Sequence, residues 1–169
     1  MKKVGIFYGS TTGNTQGVAE QIQAIFGEDN ADIMEVSGAK SADLEGYENL
    51  ILGCSTWGIG DMQDDFDDFL PELQGANLEG KKVALFGCGD QESYADSFVD
   101  AMGEIYATVK DKGCQLVGSV PTEGYEYDES RAVVDGNFVG LPIDEDNQSD
   151  LSSSRINQWV GDLKNNFGL

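Results

Sequence analysis

The residues best suited to chemistry lie close to the start of the chain, in Gly9-Ser10-Thr11-Thr12-Gly13-Asn14-Thr15-Gln16-Gly17-Val18. Four hydroxyls, from Ser10, Thr11, Thr12 and Thr15, gather around Gly13. One capping residue accounts for one hydroxyl at a helix start, so the others point to a ligand. A turn from strand to helix collects unpaired backbone N–H groups and the positive end of the helix dipole, and a phosphate fits there. The nucleoside-triphosphate loop is excluded, because Asn14 stands where that motif requires Lys. The dinucleotide fingerprint G-x-G-x-x-G is absent too, failing at Gly58/Gly60 (Gln63 follows) and at Gly87/Gly89 (Glu92 follows). What remains is recognition of one terminal phosphate by neutral donors. Trp57 and Tyr94 add a second kind of chemistry, each a large ring in a polar stretch where no core demands it. Together they could cover the faces of a flat aromatic ligand.

These groups need a scaffold, and the hydrophobic pattern supplies one. Lys3 to Tyr8 has the length and bulk of a buried strand, and Val18, Ala19, Ile22, Ile25 and Phe26 recur at helical spacing. A second strand covers 31–36, with a short helix or turn around Asp43, Leu44 and Tyr47. Asn49 to Cys54 is a fully buried strand, followed by a loop over 55–60. Phe66, Phe69, Leu70 and Leu73 mark a helix that Pro71 should bend or shorten. A strand at 83–87 and a loop at 88–94 lead to a long helix bearing Phe98, Met102, Ile105, Tyr106 and Val109, with Gly113 closing it. A fifth strand begins near Gln115, and Ile156, Trp159, Val160, Leu163 and Phe167 form the stripe of a last helix.

Five strand–helix alternations predict an α/β fold, a doubly wound five-stranded parallel sheet with helices on both faces, in a single domain over 1–169. Residues 121–150 are too many for a simple loop. They predict an insertion, at about 121–142, that interrupts the fifth strand and holds a hairpin-like excursion over 136–142. In such a sheet ligands sit beyond the carboxyl ends of the strands, which brings the loops at 10–15, 55–60 and 88–94 together.

The formal charge is −21, from ten basic and 31 acidic residues with no His, which makes nucleic acid and anionic membranes poor partners. No apolar run approaches membrane-spanning length, and Met1-Lys2-Lys3 leads into the first strand without a secretory segment, so a cytoplasmic protein is expected. Cys54, Cys88 and Cys114 lack C-x-x-C spacing and read as small apolar residues, neither a disulfide framework nor a metal site.

With its loops placed, the whole chain resembles the flavodoxins, specifically their long-chain group. Ser10-Thr11-Thr12-Gly13-Asn14-Thr15 is similar to that family's FMN-phosphate motif. Ser55-Thr56-Trp57, and Gly89-Asp90-Gln91 with Tyr94-Ala95-Asp96, are similar to its two isoalloxazine loops, and 144–150 to the segment after the long-chain insertion. Strand order 2-1-3-4-5 with FMN at the switch point is this family's type arrangement, so both follow from the resemblance and not from spacing.

The resemblance implies that Ser10, Thr11, Thr12 and Thr15, with Gly13 and the Asn14 amide, hold the phosphate. It implies that Ser55, Thr56, Trp57, Gly58, Ile59 and Gly60 line one side of the ring and Cys88, Gly89, Asp90, Tyr94 and Asp96 the other, with Asp146 near the rim. Gly58 stands where relatives often carry Asn; its peptide turns at low steric cost, which should favour a stable neutral semiquinone.

The implied function is a low-potential one-electron carrier with non-covalent FMN, shuttling between semiquinone and hydroquinone. None of the ten cations lies in the three loops, so the phosphate and the reduced ring would keep their charge uncompensated. Asp61, Asp64, Asp65, Asp67, Asp68, Glu72, Glu92, Asp96 and Asp100 predict an acidic collar that docks basic redox proteins, both reductases and electron acceptors, onto a monomer. Two other classes stay open at this point. A flavin-dependent quinone or nitro-compound reductase would need a substrate pocket that Trp57 and Tyr94 crowd, and a receiver-like signalling domain lacks its acidic pocket after the first strand.

Overall fold

The structure, a computed structural model, describes residues 3–169. The Met1-Lys2 part of the expected chain start lies outside the described residues.

Strands β1 (Val4–Gly9), β2 (Ala31–Glu35), β3 (Asn49–Trp57) and β5 (Lys82–Cys88) form a parallel sheet in the order β2-β1-β3-β5. The free edge of β5 carries two short strands. β6 (Gln115–Val117) pairs with Lys82 to Ala84, and β10 (Leu141–Ile143) with Phe86 to Cys88. The fifth strand is thus split in two, and the order 2-1-3-4-5 holds.

Period-two alternation divides the strands between two cores. Phe7, Leu50, Leu52, Val83 and Leu85 face α3 (Asp64–Gly75) and α4 (Asp100–Val109), where they meet Phe66, Phe69, Leu73, Met102 and Ile105. Ile6, Ile51, Ala84 and Phe86 point the other way, to Val18 and Ile22 of α1 (Asn14–Phe26) and to Ile156, Trp159 and Leu163 of α5 (Ser149–Phe167). Each such buried side chain contributes roughly 1.5–3 kcal/mol relative to exposure. A short α2 (Ser41–Glu45) joins β2 to β3. No helix among the described residues is long and apolar enough to cross a membrane.

Several expected boundaries differ. α3 runs unbroken through Pro71, whose missing bond to the Asp67 carbonyl falls on a solvent-facing side of the helix. Phe98 precedes α4, lying between a 3₁₀ turn at Ala95–Ser97 and Val99 at φ 47. α4 ends at Val109, so Gly113 (φ 78) serves the turn beyond it and not the helix cap. The 55–60 stretch is the end of β3 and a tight turn, with Trp57 paired to Asp61 of β4 (Asp61–Met62).

The hairpin of the insertion also sits elsewhere. It is β8 (Val133–Val134) and β9 (Asn137–Phe138), turning at Asp135 (φ 54) and Gly136 (φ 84), with β7 (Val120–Pro121) on the other side of β9. Two successive positive φ values make the two-residue turn that Asp-Gly favours. Leu141 and Pro142 belong to the main sheet, and the insertion hangs from it by a ring cluster of Phe98, Tyr125, Tyr127 and Phe138.

Candidate cofactor site

The loop after β1 turns at Gly13 (φ 95), a conformation that favours glycine, and enters α1. The Gly13 N–H donates to Ser10 Oγ (3.1 Å), and Gln63 Nε2 donates to Thr11 Oγ1 (3.2 Å). Gln63 also caps α3, its Oε1 accepting from the Phe66 N–H (3.0 Å), so one buried amide ties the phosphate-type loop to the next helix. Among the described residues no side chain caps α1, which leaves its first N–H groups to a ligand. Thr15 is buried at 1 % exposure, its side chain beside the Cys88 thiol beneath the loop. Burial pushes the Cys88 thiol up to about 12, with Thr15 opposing that shift, so the thiol stays protonated and unreactive.

Beyond the carboxyl ends of β1, β3 and β5 lies a cleft lined by Thr12, Asn14, Ser55, Thr56, Trp57, Cys88, Gly89, Asp90, Tyr94, Glu145 and Asp146. Trp57 and Tyr94 remain 40 % and 43 % exposed there, an unfavourable state for rings unless something covers them. The Ser55 hydroxyl is buried in the same wall with no hydrogen-bond partner. An orphaned hydroxyl of this kind costs about 1–3 kcal/mol until a ligand satisfies it. Thr56 Oγ1 accepts from the Ala101 N–H (3.0 Å) at the start of α4, and Ser97 Oγ donates to the Gly58 carbonyl (3.4 Å). The Trp57 turn is thereby braced against the helix behind it. A Cβ on Gly89 would come within 3.0 Å of Val99 Cγ1, so this wall admits only glycine without a shift.

Two carboxylates on the rim are shifted in opposite directions. Partial burial opposes ionisation of Asp90, but N–H donors from Ser93 (2.8 Å), Asn147 (2.8 Å) and Glu92 (3.1 Å) outweigh it and hold the carboxyl below its usual range. Asp146 moves the other way, raised by burial and then by the charges of Asp90, Asp144 and Glu145.

Of the expected site residues, Thr12, Asn14, Ser55, Thr56, Trp57, Cys88, Gly89, Asp90, Tyr94 and Asp146 share the cleft wall. Ser10, Thr11 and Gly13 stand in the adjoining loop, and Thr15 lies below it. Gly58, Ile59 and Gly60 form the turn after Trp57, with Ile59 at 89 % exposure. Ile59 and Asp96 line a separate hollow with Asp128, Glu129 and Arg131. Asp100 does not belong to an exposed collar. It is 5 % exposed, its carboxylate accepting from the Arg131 backbone N–H (2.7 Å) and facing the guanidinium at 3.8 Å. Sequence reasoning missed Glu145 on the wall and Asn147 as a partner of Asp90. Both lie in the acidic 144–150 run, whose composition does not say which member points inward.

The flavodoxin family model matches residues 6–159. The chain is 49 % identical to a flavodoxin of Synechococcus elongatus, with both chains covered in full. It is 45 % identical to flavodoxin 1 of Escherichia coli over all of this chain and 97 % of that one. Among solved structures, the crystal structure of Fusobacterium nucleatum flavodoxin bound to flavin mononucleotide superposes with a TM-score of 0.93 at 34 % identity, covering 99 % of each chain. With the split fifth strand and the three converging loops already in place, these matches establish that the chain belongs to the flavodoxin family, in its long-chain form.

Proposed function

We propose that the cleft binds one FMN non-covalently and that the chain carries single electrons at low potential, cycling between the one-electron-reduced and the fully reduced cofactor. As a flavodoxin it is an electron-transfer protein and not an enzyme. The observation that carries the reading is the unpaired Ser55 hydroxyl, buried in a wall between two exposed rings. The donor set fits FMN: free N–H groups and hydroxyls at the start of α1 suit its phosphate, and Trp57 and Tyr94 suit the faces of its ring.

In this reading Ser10, Thr11, Thr12, Asn14 and Thr15 seat the phosphate around Gly13. Ser55 to Gly60, and Cys88, Gly89, Asp90, Tyr94 and Asp96, surround the ring, and Asp146 stands at the rim. Bound FMN supplies the redox chemistry. The residues exclude water, offer no cation among those lining the cleft, and place Asp90 where added negative charge is unfavourable. The Gly58 carbonyl, held by Ser97, is the group that would meet a proton gained at the ring edge.

Basic redox proteins would dock on Asp61, Asp64, Asp65, Asp67, Asp68, Glu92 and Asp96 around the cleft, to a monomer in the cytoplasm. Titrating the flavin-free protein with FMN tests the reading. One FMN per chain with quenched flavin fluorescence is expected, and no binding would overturn it.

A further inference from the structure

Asp144, just after β10, is wholly buried, and no cation is among its hydrogen-bond partners. Its Oδ2 accepts from the Gln91 backbone N–H (3.0 Å), from Gln91 Nε2 (2.8 Å) and from Asn147 Nδ2 (2.9 Å). Its Oδ1 accepts from the Asp146 and Asn147 backbone N–H groups (3.1 and 3.0 Å). Every one of these partners is a donor, which a carboxylate satisfies and a carboxamide cannot.

Two further bonds lead outward from this knot. Asn147 Nδ2 also donates to Asp90 Oδ1 (2.8 Å) on the cleft wall, and Gln91 Oε1 accepts from the Glu126 N–H (2.5 Å) in the insertion. One carboxylate therefore fastens the loop after β5, the turn after β10 and the inserted segment to one another.

We infer that Asp144 is a positioning residue for the flavin ring: through Gln91 and Asn147 it fixes the Asp90–Tyr94 side of the cleft and couples the insertion to it. This rests on the cofactor reading above. Asp144 is not on the cleft wall and reaches it through Gln91, Asn147 and the Asp146 backbone N–H. The inference gives the insertion a task that its own position, away from the cleft, does not suggest.

The test is Asp144→Asn in the full chain, which keeps the size of the side chain and turns an NH₂ group toward existing donors. Loosening the ring side without touching the phosphate seat should weaken riboflavin and FMN alike, each by about tenfold, leaving the ratio of the two affinities unchanged. In the flavin-free protein, amide exchange at Gln91, Ser93 and Glu126 should quicken by about tenfold while that of β1 stays the same. Should this variant fail to fold, Asn147→Ala, which keeps the Asp144–Gln91 bonds, must still weaken riboflavin and quicken exchange at Ser93. Unchanged affinities and exchange in a folded variant would overturn the inference, and so would a uniform acceleration at every amide. A wild-type protein that takes neither flavin would sink the cofactor reading instead, and the exchange measurement would still decide the Asp144 link.

Discussion

The two ends of the parallel sheet are built from the same alternation and carry opposite chemistry. At the amino end, lysines close helix C-termini. Lys81 Nζ donates to the carbonyls of Glu45, at the end of α2, and of Tyr47 just beyond it (2.9 and 2.5 Å), Lys112 Nζ to Gln74 of α3 (2.6 Å) and Lys82 Nζ to Asn166 of α5 (2.5 Å). At the carboxyl end lie the helix N-termini, with three acids in the first turn of α3 and one each in those of α4 and α5. Helix dipoles explain this sorting of sign without any function. They do not explain two exposed rings and the orphaned Ser55 hydroxyl on one cleft wall. Charge pattern thus reports which way the helices run, and the exposed rings that share a wall with the Ser55 hydroxyl mark the cleft.

The largest effect that separates the ends is expected at the rings. Trp57→Ala or Tyr94→Ala should each weaken FMN about 100-fold, on the order of 2–3 kcal/mol, with little change in the stability of the flavin-free protein. Fluorescence titration and thermal unfolding measure both. Next comes salt: raising ionic strength from 0.01 to 0.3 M should slow reduction of a basic partner by about tenfold, through the exposed acids of the carboxyl end. Indifference to salt would mean that these acids serve the helices alone.

At the amino end the expected pattern reverses. Lys112→Met should cost about 0.5–1 kcal/mol of stability and leave FMN affinity as it was. The smallest effect belongs to the rim. Asp146 has a raised pKa, so its ionisation opposes folding at neutral pH, and that penalty fades as pH falls through its folded value toward 3.8. Asp146→Asn should stabilise the flavin-free protein by a few tenths of a kcal/mol at pH 7 and do nothing below about pH 3.5. Asp90 has the opposite sign: its contribution is full above the ordinary value of 3.8 and is lost as pH falls through its lower folded value. Unfolding curves against pH for Asp146→Asn and Asp90→Asn should therefore diverge in opposite directions at pH 7.

The sheet was legible because the apolar runs at 49–54 and 83–87 are continuous, as strands covered on both faces must be. The strand-to-helix turn at 10–13 was legible because a buried-strand run precedes it and helical spacing follows. Pro71 misled because proline's cost depends on which face it occupies, and a single sequence does not reveal that. The insertion misled for another reason. Asp135-Gly136 is a strong two-residue hairpin signal, yet the apolar Val139–Ile143 run drew the expected hairpin to 136–142 instead of 133–138. Asp100 looked exposed by its helix position, yet Arg131 of the insertion and the Gly60 turn pack against it. Asp144 was invisible among its acidic neighbours, since burial by five N–H donors leaves no mark in composition.

The account rests on a cofactor end with neutral donors and acids but no lining cation. An anaerobic redox titration of the FMN-loaded protein tests it most directly. The last one-electron step should lie well below that of free FMN, because the added charge finds nothing positive to meet it; a potential at or above the free value would contradict the account.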